Sequence, residues 1–271
     1  MPKKILTIAG SDTLAGGGLL TDVKTFEDYG HFGLSVITCI ATVNEQHEFQ
    51  LENLAPDLIQ AQLNSIKSTM NLDGIKIGLL NSLTTIDLVA DFLTYFPNVP
   101  VVLDPVLAFK ESNQRSDQQY IEAMIKKLLP LATLITPNLT EASLLSQQSI
   151  KTIEDMEQAG ERLLELGANS VLIKGGQRLS GTAATDLYLA QNKKLILSKE
   201  KISSNLVNGA GCMLAAALIA NLVSQIPLDK TLQQSKDYVY TAIQHGVLIN
   251  PNFGNVWHNY QSLGKEHVHE R

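Results

Sequence analysis

Short runs of aliphatic and β-branched residues recur along this chain, each separated from the next by a longer segment with helical spacing of apolar residues. Such short runs can be buried on both faces only inside a sheet, and parallel strands need crossovers long enough to hold a helix. The alternation therefore predicts an α/β fold, a central mainly parallel sheet flanked by helices on both faces. Strands are expected at 5–9, 35–43, 74–78, 100–104, 132–136 and 170–174, and a hairpin at 186–190 and 193–198 around Gln191-Asn192. A helix opened by Gly16-Gly17-Gly18 runs to about Gly30. Further helices are expected at 56–70, with Pro56 in its first turn, and at 82–96, 118–129, 139–147, 153–166, 211–223 and 228–246. Residues 108–117 follow no period and are too many for a tight turn, which makes them a candidate flap. No repeat, low-complexity segment or linker interrupts the pattern, so 1–271 is read as a single domain.

Composition removes several classes of function. The 21 basic residues against 27 acidic ones, net −6, include no basic block, so no nucleic-acid partner is expected. Two cysteines, Cys39 and Cys212, cannot frame a disulfide scaffold and lack zinc-site spacing, which points to a reducing, cytoplasmic compartment. The basic start followed by 5–9 is too short for a signal peptide, and the apolar run 209–223 is short of the ~20 residues that span a bilayer. No membrane partner is expected. His258, His267 and His269 stand in what reads as a flexible polar tail, with no metal site.

Position carries more information. Asp12, Gly78, Asp104, Asn138, Lys174 and Gly175 each fall at or just past the C-terminal end of an expected strand. In an open parallel sheet those ends share one edge, where ligands bind. Two phosphate signatures fail: Thr182 follows Gly176 and Gly181 where a P-loop needs lysine, and the first glycine-rich turn has no acidic residue about 20 positions on. That turn is the only hint of a nicotinamide-dependent oxidoreductase. Asn208-Gly209-Ala210-Gly211-Cys212 leads into an apolar helix, and small residues there let a ligand approach backbone N–H groups whose dipole favours negative charge. The same field would favour a thiolate at Cys212, although a free cysteine is also commonly just a small buried side chain. Cys39 lies within a strand and is assigned to packing. Asn138 and Glu141 are spaced either for a magnesium-binding pair or for an ordinary capping box.

Read together, Ala9-Gly10-Ser11-Asp12, the stretch from Gly18 to Phe26, Lys76-Ile77-Gly78, Asp104-Pro105-Val106, Thr136 to Glu141, Ile173-Lys174-Gly175-Gly176 and Gly209-Ala210-Gly211-Cys212 resemble the ribokinase-like vitamin kinases. The branch is that of the hydroxymethylpyrimidine (phosphate) kinases and the pyridoxal kinases related to them, and the motifs run in order from about residue 3 to 250. The resemblance implies a ribokinase-like fold, commonly a homodimer, and transfer of the ATP γ-phosphoryl group to a hydroxymethyl on a heteroaromatic ring. It makes Cys212 the base and Gly209, Ala210 and Gly211 the anion hole. Asp12, Gly18, Val43, Lys76 and Val106 would meet the vitamin. Asn138, Lys174, Gly175 and Lys236 would meet ATP, Asp104 and Glu141 would hold Mg²⁺, and 108–117 would form a lid. Asn208, Met213 and the flap sequence Lys110 to Gln114, which lacks glycine, depart from the family pattern. Pyrimidine kinases carry a glutamine after the second strand that reads the ring amino group. Val43 stands there instead, which suits a pyridine ring and favours pyridoxal kinase over the pyrimidine kinase. A silent vitamin-binding protein is the remaining alternative.

Overall fold

The computed structural model describes residues 1–46, 48–107 and 118–258. The candidate flap, His267 and His269 lie outside the described residues. The chain runs β1 (Lys4–Asp12), α1 (Gly18–Asp28), β2 (Phe32–Val43), β3 (Phe49–Asn53), α2 (Pro56–Thr69), β4 (Gly74–Ile77), α3 (Leu83–Leu93) and β5 (Val101–Leu103). Then come α4 (Gln118–Ala123), β6 (Leu134–Ile135), α5 (Leu139–Ser146), α6 (Ile153–Glu165), β7 (Ser170–Lys174), β8 (Ala183–Ala190) and β9 (Lys193–Glu200). The last elements are α7 (Ala210–Val223), α8 (Leu228–Gln244), β10 (Val247–Asn250) and β11 (Phe253–Asn255).

Among the described residues, nine strands form one sheet in the order β3-β2-β1-β4-β5-β6-β7-β8-β9. The stretch from β2 to β7 is parallel, while β3, on β2, and the β8–β9 hairpin, on β7, add antiparallel pairings. The chain leaves β1 on one side to make β2 and β3, then returns on the other side to make β4. That reversal opens a crevice at the carboxyl ends of β1 and β4.

Side-chain alternation sorts the two faces. Leu6, Ile8, Ile75, Ile77, Val101, Leu103, Ile135, Val171 and Ile173 point to a core shared with α2 through α6. Ile5, Val102, Leu134 and Leu172 point to a second core shared with α1, α7 and α8. In that second layer α7 is buried from Met213 to Asn221. A methyl group on Gly74 would stand 2.6 Å from Val223 Cγ1 and 3.0 Å from Ile219 Cγ1, so this glycine lets α7 lie directly on β4. The one amide on the helix's apolar stretch, Asn221, donates to Ser235 Oγ at 3.0 Å.

Several elements differ from the sequence reading. The edge strand β3 and the β10–β11 hairpin were not expected. Both are short or largely exposed, so hydrophobic burial marks them weakly. The helix expected at 118–129 stays regular only to Ala123, then widens to a π turn over Met124–Leu128 and ends in a tight turn over Leu129–Leu131. Pro130 accounts for this, because it has no N–H to donate and its ring crowds the carbonyl four residues back. Cys39 is fully buried in β2, as expected. No helix among the described residues is long and apolar enough to cross a membrane.

His258 is a correction. It is buried, and its Nε2–H donates to Thr21 O at 3.0 Å, with Thr25 Oγ1 at 3.1 Å, fastening the chain after β11 to α1. Burial pushes its pKa down to about 4, against the pull of Asp28. Since the imidazole is easier to protonate when unfolded, its contribution is present above about 6.5 and is lost as pH falls toward 4. Calorimetry should show the wild type losing more Tm between pH 7 and pH 4.5 than His258→Gln does, by roughly 2–4 °C or more. Equal losses would contradict a buried neutral imidazole.

Candidate active site

Asp12 ends β1, Gly78 follows β4, Asp104 follows β5, Asn138 follows β6 and Lys174 ends β7, so parallel pairing brings the residues expected at one edge to one edge. The start of α7 reaches the same place. A methyl on Gly17 would lie 3.7 Å from Cys212 Sγ, and one on Gly211 would lie 3.4 Å from Lys174 Nζ. Gly18 donates its N–H to Cys212 Sγ at 3.4 Å. The β1–α1 loop, the start of α7 and the end of β7 therefore enclose a single space.

Gly18 has φ +63°, and a Cβ there would overlap the carbonyl oxygen of Gly10. The loop before it is held by Asp12, whose Oδ1 accepts the Leu14 N–H at 2.9 Å and whose Oδ2 accepts the Gly16 N–H at 2.8 Å. The Asp12 side chain thus shapes the loop as well as facing the edge. Gly209, at φ +85°, caps α7 and packs between Gly16 and Val256. Of the three amides assigned to the anion hole, that of Ala210 already donates to Val207 O at 3.2 Å, leaving Gly209 and Gly211 as the stronger candidates.

Charged residues alternate in sign along the edge. Lys174 Nζ lies 2.6 Å from Asp104 Oδ1, which also accepts from Thr136 Oγ1 at 3.1 Å. Burial opposes the charge on Asp104, but Lys174 and Lys76 more than offset it and hold the carboxyl below its ordinary range. Glu141 accepts the Asn138 N–H at 2.8 Å, while Asn138 Oδ1 accepts from Thr140 and Glu141, so the capping box does form. Burial pushes Glu141 up to about 7; Lys174 pulls it down and Asp104 pushes it further up. Two buried carboxylates beside Lys174 could hold Mg²⁺, which phosphate-handling sites bind through one or two carboxylates plus the phosphates.

Three expected positions need revision. Lys76 has no exposed surface and bonds to Asp22 Oδ2 at 2.8 Å, so its ammonium is not open to a ligand. Lys236 is buried and bonds to Asp186 Oδ2 at 2.6 Å, while Asp186 Oδ1 accepts the Gly175 N–H at 3.1 Å. It therefore braces the Gly175 turn from behind. The helix field does not free a thiolate at Cys212, because burial pushes the thiol up to about 11, with Lys76 pulling down and Asp104 and Asp22 pushing up. Val106 is half-buried beside Asp104, its N–H donating to Asp104 O at 2.9 Å, and Val43 ends β2 with 41% exposure. Asp22 and Asp186 were missed. An acid at position 22, on the face that carries Leu19 and Phe26, was the available signal for the first.

Residues 12–257 match the phosphomethylpyrimidine kinase family. The chain belongs to that family. This kinase is 36% identical over 259 residues to a hydroxymethylpyrimidine/phosphomethylpyrimidine kinase of Haemophilus influenzae, covering 94% of this chain and 96% of the relative. It is 33% identical over 266 residues to a pyridoxine kinase of Bacillus subtilis, covering 97% and 98%. Its structure superposes on an ADP complex of Bacillus subtilis pyridoxal kinase with TM-score 0.91 and 33% identity, covering 97% of this chain and 100% of the other. The ribokinase-like fold expected from the motifs is thereby borne out.

Gly18 gives the site's geometry a direct test in urea denaturation. Gly18→Ala meets both left-handed strain and the Gly10 carbonyl, whereas Gly30→Ala, at φ +75° in open space, meets only strain of about 1–2 kcal/mol. The first should cost clearly more than the second, and equal losses would contradict the close approach of α1 to β1.

Proposed function

We propose that this protein is an ATP-dependent pyridoxal kinase, phosphorylating the 5′-hydroxymethyl group of pyridoxal, pyridoxine or pyridoxamine. The observation that carries the choice of vitamin is the end of β2. Val43 offers an aliphatic surface there. The neighbouring Asn44 is committed to its own turn: its Oδ1 accepts from Gln46 and Glu48 and its Nδ2 donates to Glu48 Oε2. Neither supplies the acceptor that an aminopyrimidine needs for its exocyclic amino group, and leaving such a donor unpaired is costly. A pyridine ring makes no such demand.

In this reading the vitamin sits between the β1–α1 loop, with Asp12 and Gly18, and Val43 and Val106. ATP lies along the Asn138, Lys174 and Gly175 edge, with Lys236 supporting Gly175 through Asp186. Asp104 and Glu141 hold Mg²⁺, which supplies charge neutralisation for the ATP phosphates. The Cys212 thiol first gives up its own proton to water, and the small thiolate fraction so formed takes the hydroxyl proton and returns to the thiol. The alcohol oxygen then bonds to the γ-phosphorus as the bond to the ADP oxygen breaks, giving the phosphate monoester and ADP. The Gly209 and Gly211 amides and Lys174 face the charge that develops on the transferred group, and one such donor is typically worth about 3 kcal/mol of barrier.

Steady-state ADP release with Mg-ATP and each vitamin separates the readings. The proposal expects kcat/KM for pyridoxal to exceed that for hydroxymethylpyrimidine by roughly tenfold or more. The reverse preference would assign the pyrimidine kinase, and binding without ADP release from either vitamin would overturn the kinase mechanism.

A further inference from the structure

A buried pair of opposite charges joins α1 to β4, and the mechanism above does not use it. Asp22 of α1 and Lys76 of β4 are both without exposed surface and meet at 2.8 Å. Thr7 Oγ1 donates to the same Asp22 oxygen at 2.6 Å, while Asp22 Oδ1 has no hydrogen-bond partner among the described residues. A fully buried ion pair is a weak stabiliser, because desolvation of both ions offsets their attraction, and an unpartnered carboxylate oxygen adds to the cost. Its position suggests a use. Lys76 stands between Ile75 and Ile77, which face the other core, so its side chain runs under α1 and α7. Its ammonium ends 2.9 Å from where a Gly78 Cβ would stand, at the carboxyl end of β4. The Cys212 sulfur accepts the Gly18 N–H at 3.4 Å where α1 begins, one helical turn before Asp22, so the sulfur and the ion pair are tied to the same end of α1.

We propose that Asp22 and Lys76 are positioning residues for phosphoryl transfer that act through Cys212, Lys76 serving as the counter-charge of the thiolate and Asp22 fixing and moderating that charge. This deepens the assignment of Cys212 as base and rests on it. The charged groups facing the sulfur are Lys76 from β4, Asp22 from α1, Asp104 after β5 and Lys174 from β7. The signs are definite. Neutralising Asp22 leaves Lys76 less compensated and favours the thiolate, and neutralising Lys76 disfavours it.

The test is alkylation of Cys212 by iodoacetamide in the protein without ATP or vitamin, followed by peptide-resolved mass spectrometry that separates it from Cys39, between pH 7 and 10.5. In the wild type the rate should climb nearly tenfold per pH unit throughout. Asp22→Asn should react roughly tenfold faster at pH 8 and begin to level off by pH 10. Lys76→Met should react roughly tenfold more slowly, and the double variant should lie between the two. Mere loosening would speed both single variants and leave the shape of the profile unchanged. Should Lys76→Met not fold, Asp22→Asn, which keeps acceptors for Thr7 and Lys76, decides alone. An Asp22→Asn profile within twofold of wild type overturns the proposal, whatever the kinase assays show.

Discussion

Everything at the functional edge depends on burying one helix completely. With helices on one side and the sheet on the other, α7 leaves almost no room for large or polar side chains, hence its alanines and the satisfied Asn221–Ser235 pair. Burial also forces a choice at its N-terminus, where backbone amides have no partner within the helix. Here the start of the helix emerges at the carboxyl edge of the sheet, beside Lys174 and the glycine-rich loop, so those amides face a space where an anion can satisfy them. The proposed anion site would thus be a consequence of the packing, with glycine at 211 leaving only Lys174 Nζ within 4 Å of where a Cβ would stand.

That same enclosure makes every nearby charge consequential. Asp22, Lys76, Asp104, Lys174 and Glu141 are all largely removed from water; the first four are tolerated because an opposite charge lies beside each, and Glu141 accepts the Asn138 N–H. Burial displaces two of the groups, pushing Glu141 up to about 7 and the Cys212 thiol up to about 11. A site arranged this way is strongly unequal in its response to ligands, since a bound cation or a displaced proton changes energies that water would otherwise screen. In the proposed reading a chain of net charge −6 can accommodate a polyanion because the attraction is local, built from amides and lysines, not from the molecular surface.

Periodicity made the parallel sheet legible because both of its faces are buried, strand-end placement made Asp12, Gly78, Asp104, Asn138, Lys174 and Gly175 legible as one group, and the small-residue start of a helix marked Cys212. The edge pieces were not, since β3 and β10 expose much of their surface and carry little burial signal. Lys76 stood inside a quoted motif, yet its direction was missed, although alternation with Ile75 and Ile77 already placed it on the face toward α1. Asp22 was readable as an acid on an apolar helix face. His258 was not, because nothing in a polar terminal stretch announces a hydrogen bond to a carbonyl more than two hundred residues earlier. Relatives that act on either vitamin are similar to this chain over nearly its whole length, so the choice of vitamin is proposed from a few side chains such as Val43.

If the carboxyl edge of the sheet delivers a hydroxymethyl group to Cys212 in front of the α7 amides, a crystal structure with ADP, magnesium, aluminium fluoride and pyridoxal should show the hydroxymethyl oxygen within about 3.5 Å of Cys212 Sγ, with the fluoride facing the Gly209 and Gly211 amides. A hydroxymethyl oxygen out of reach of the sulfur, beyond about 5 Å and turned toward another group, would show that Cys212 is not the base.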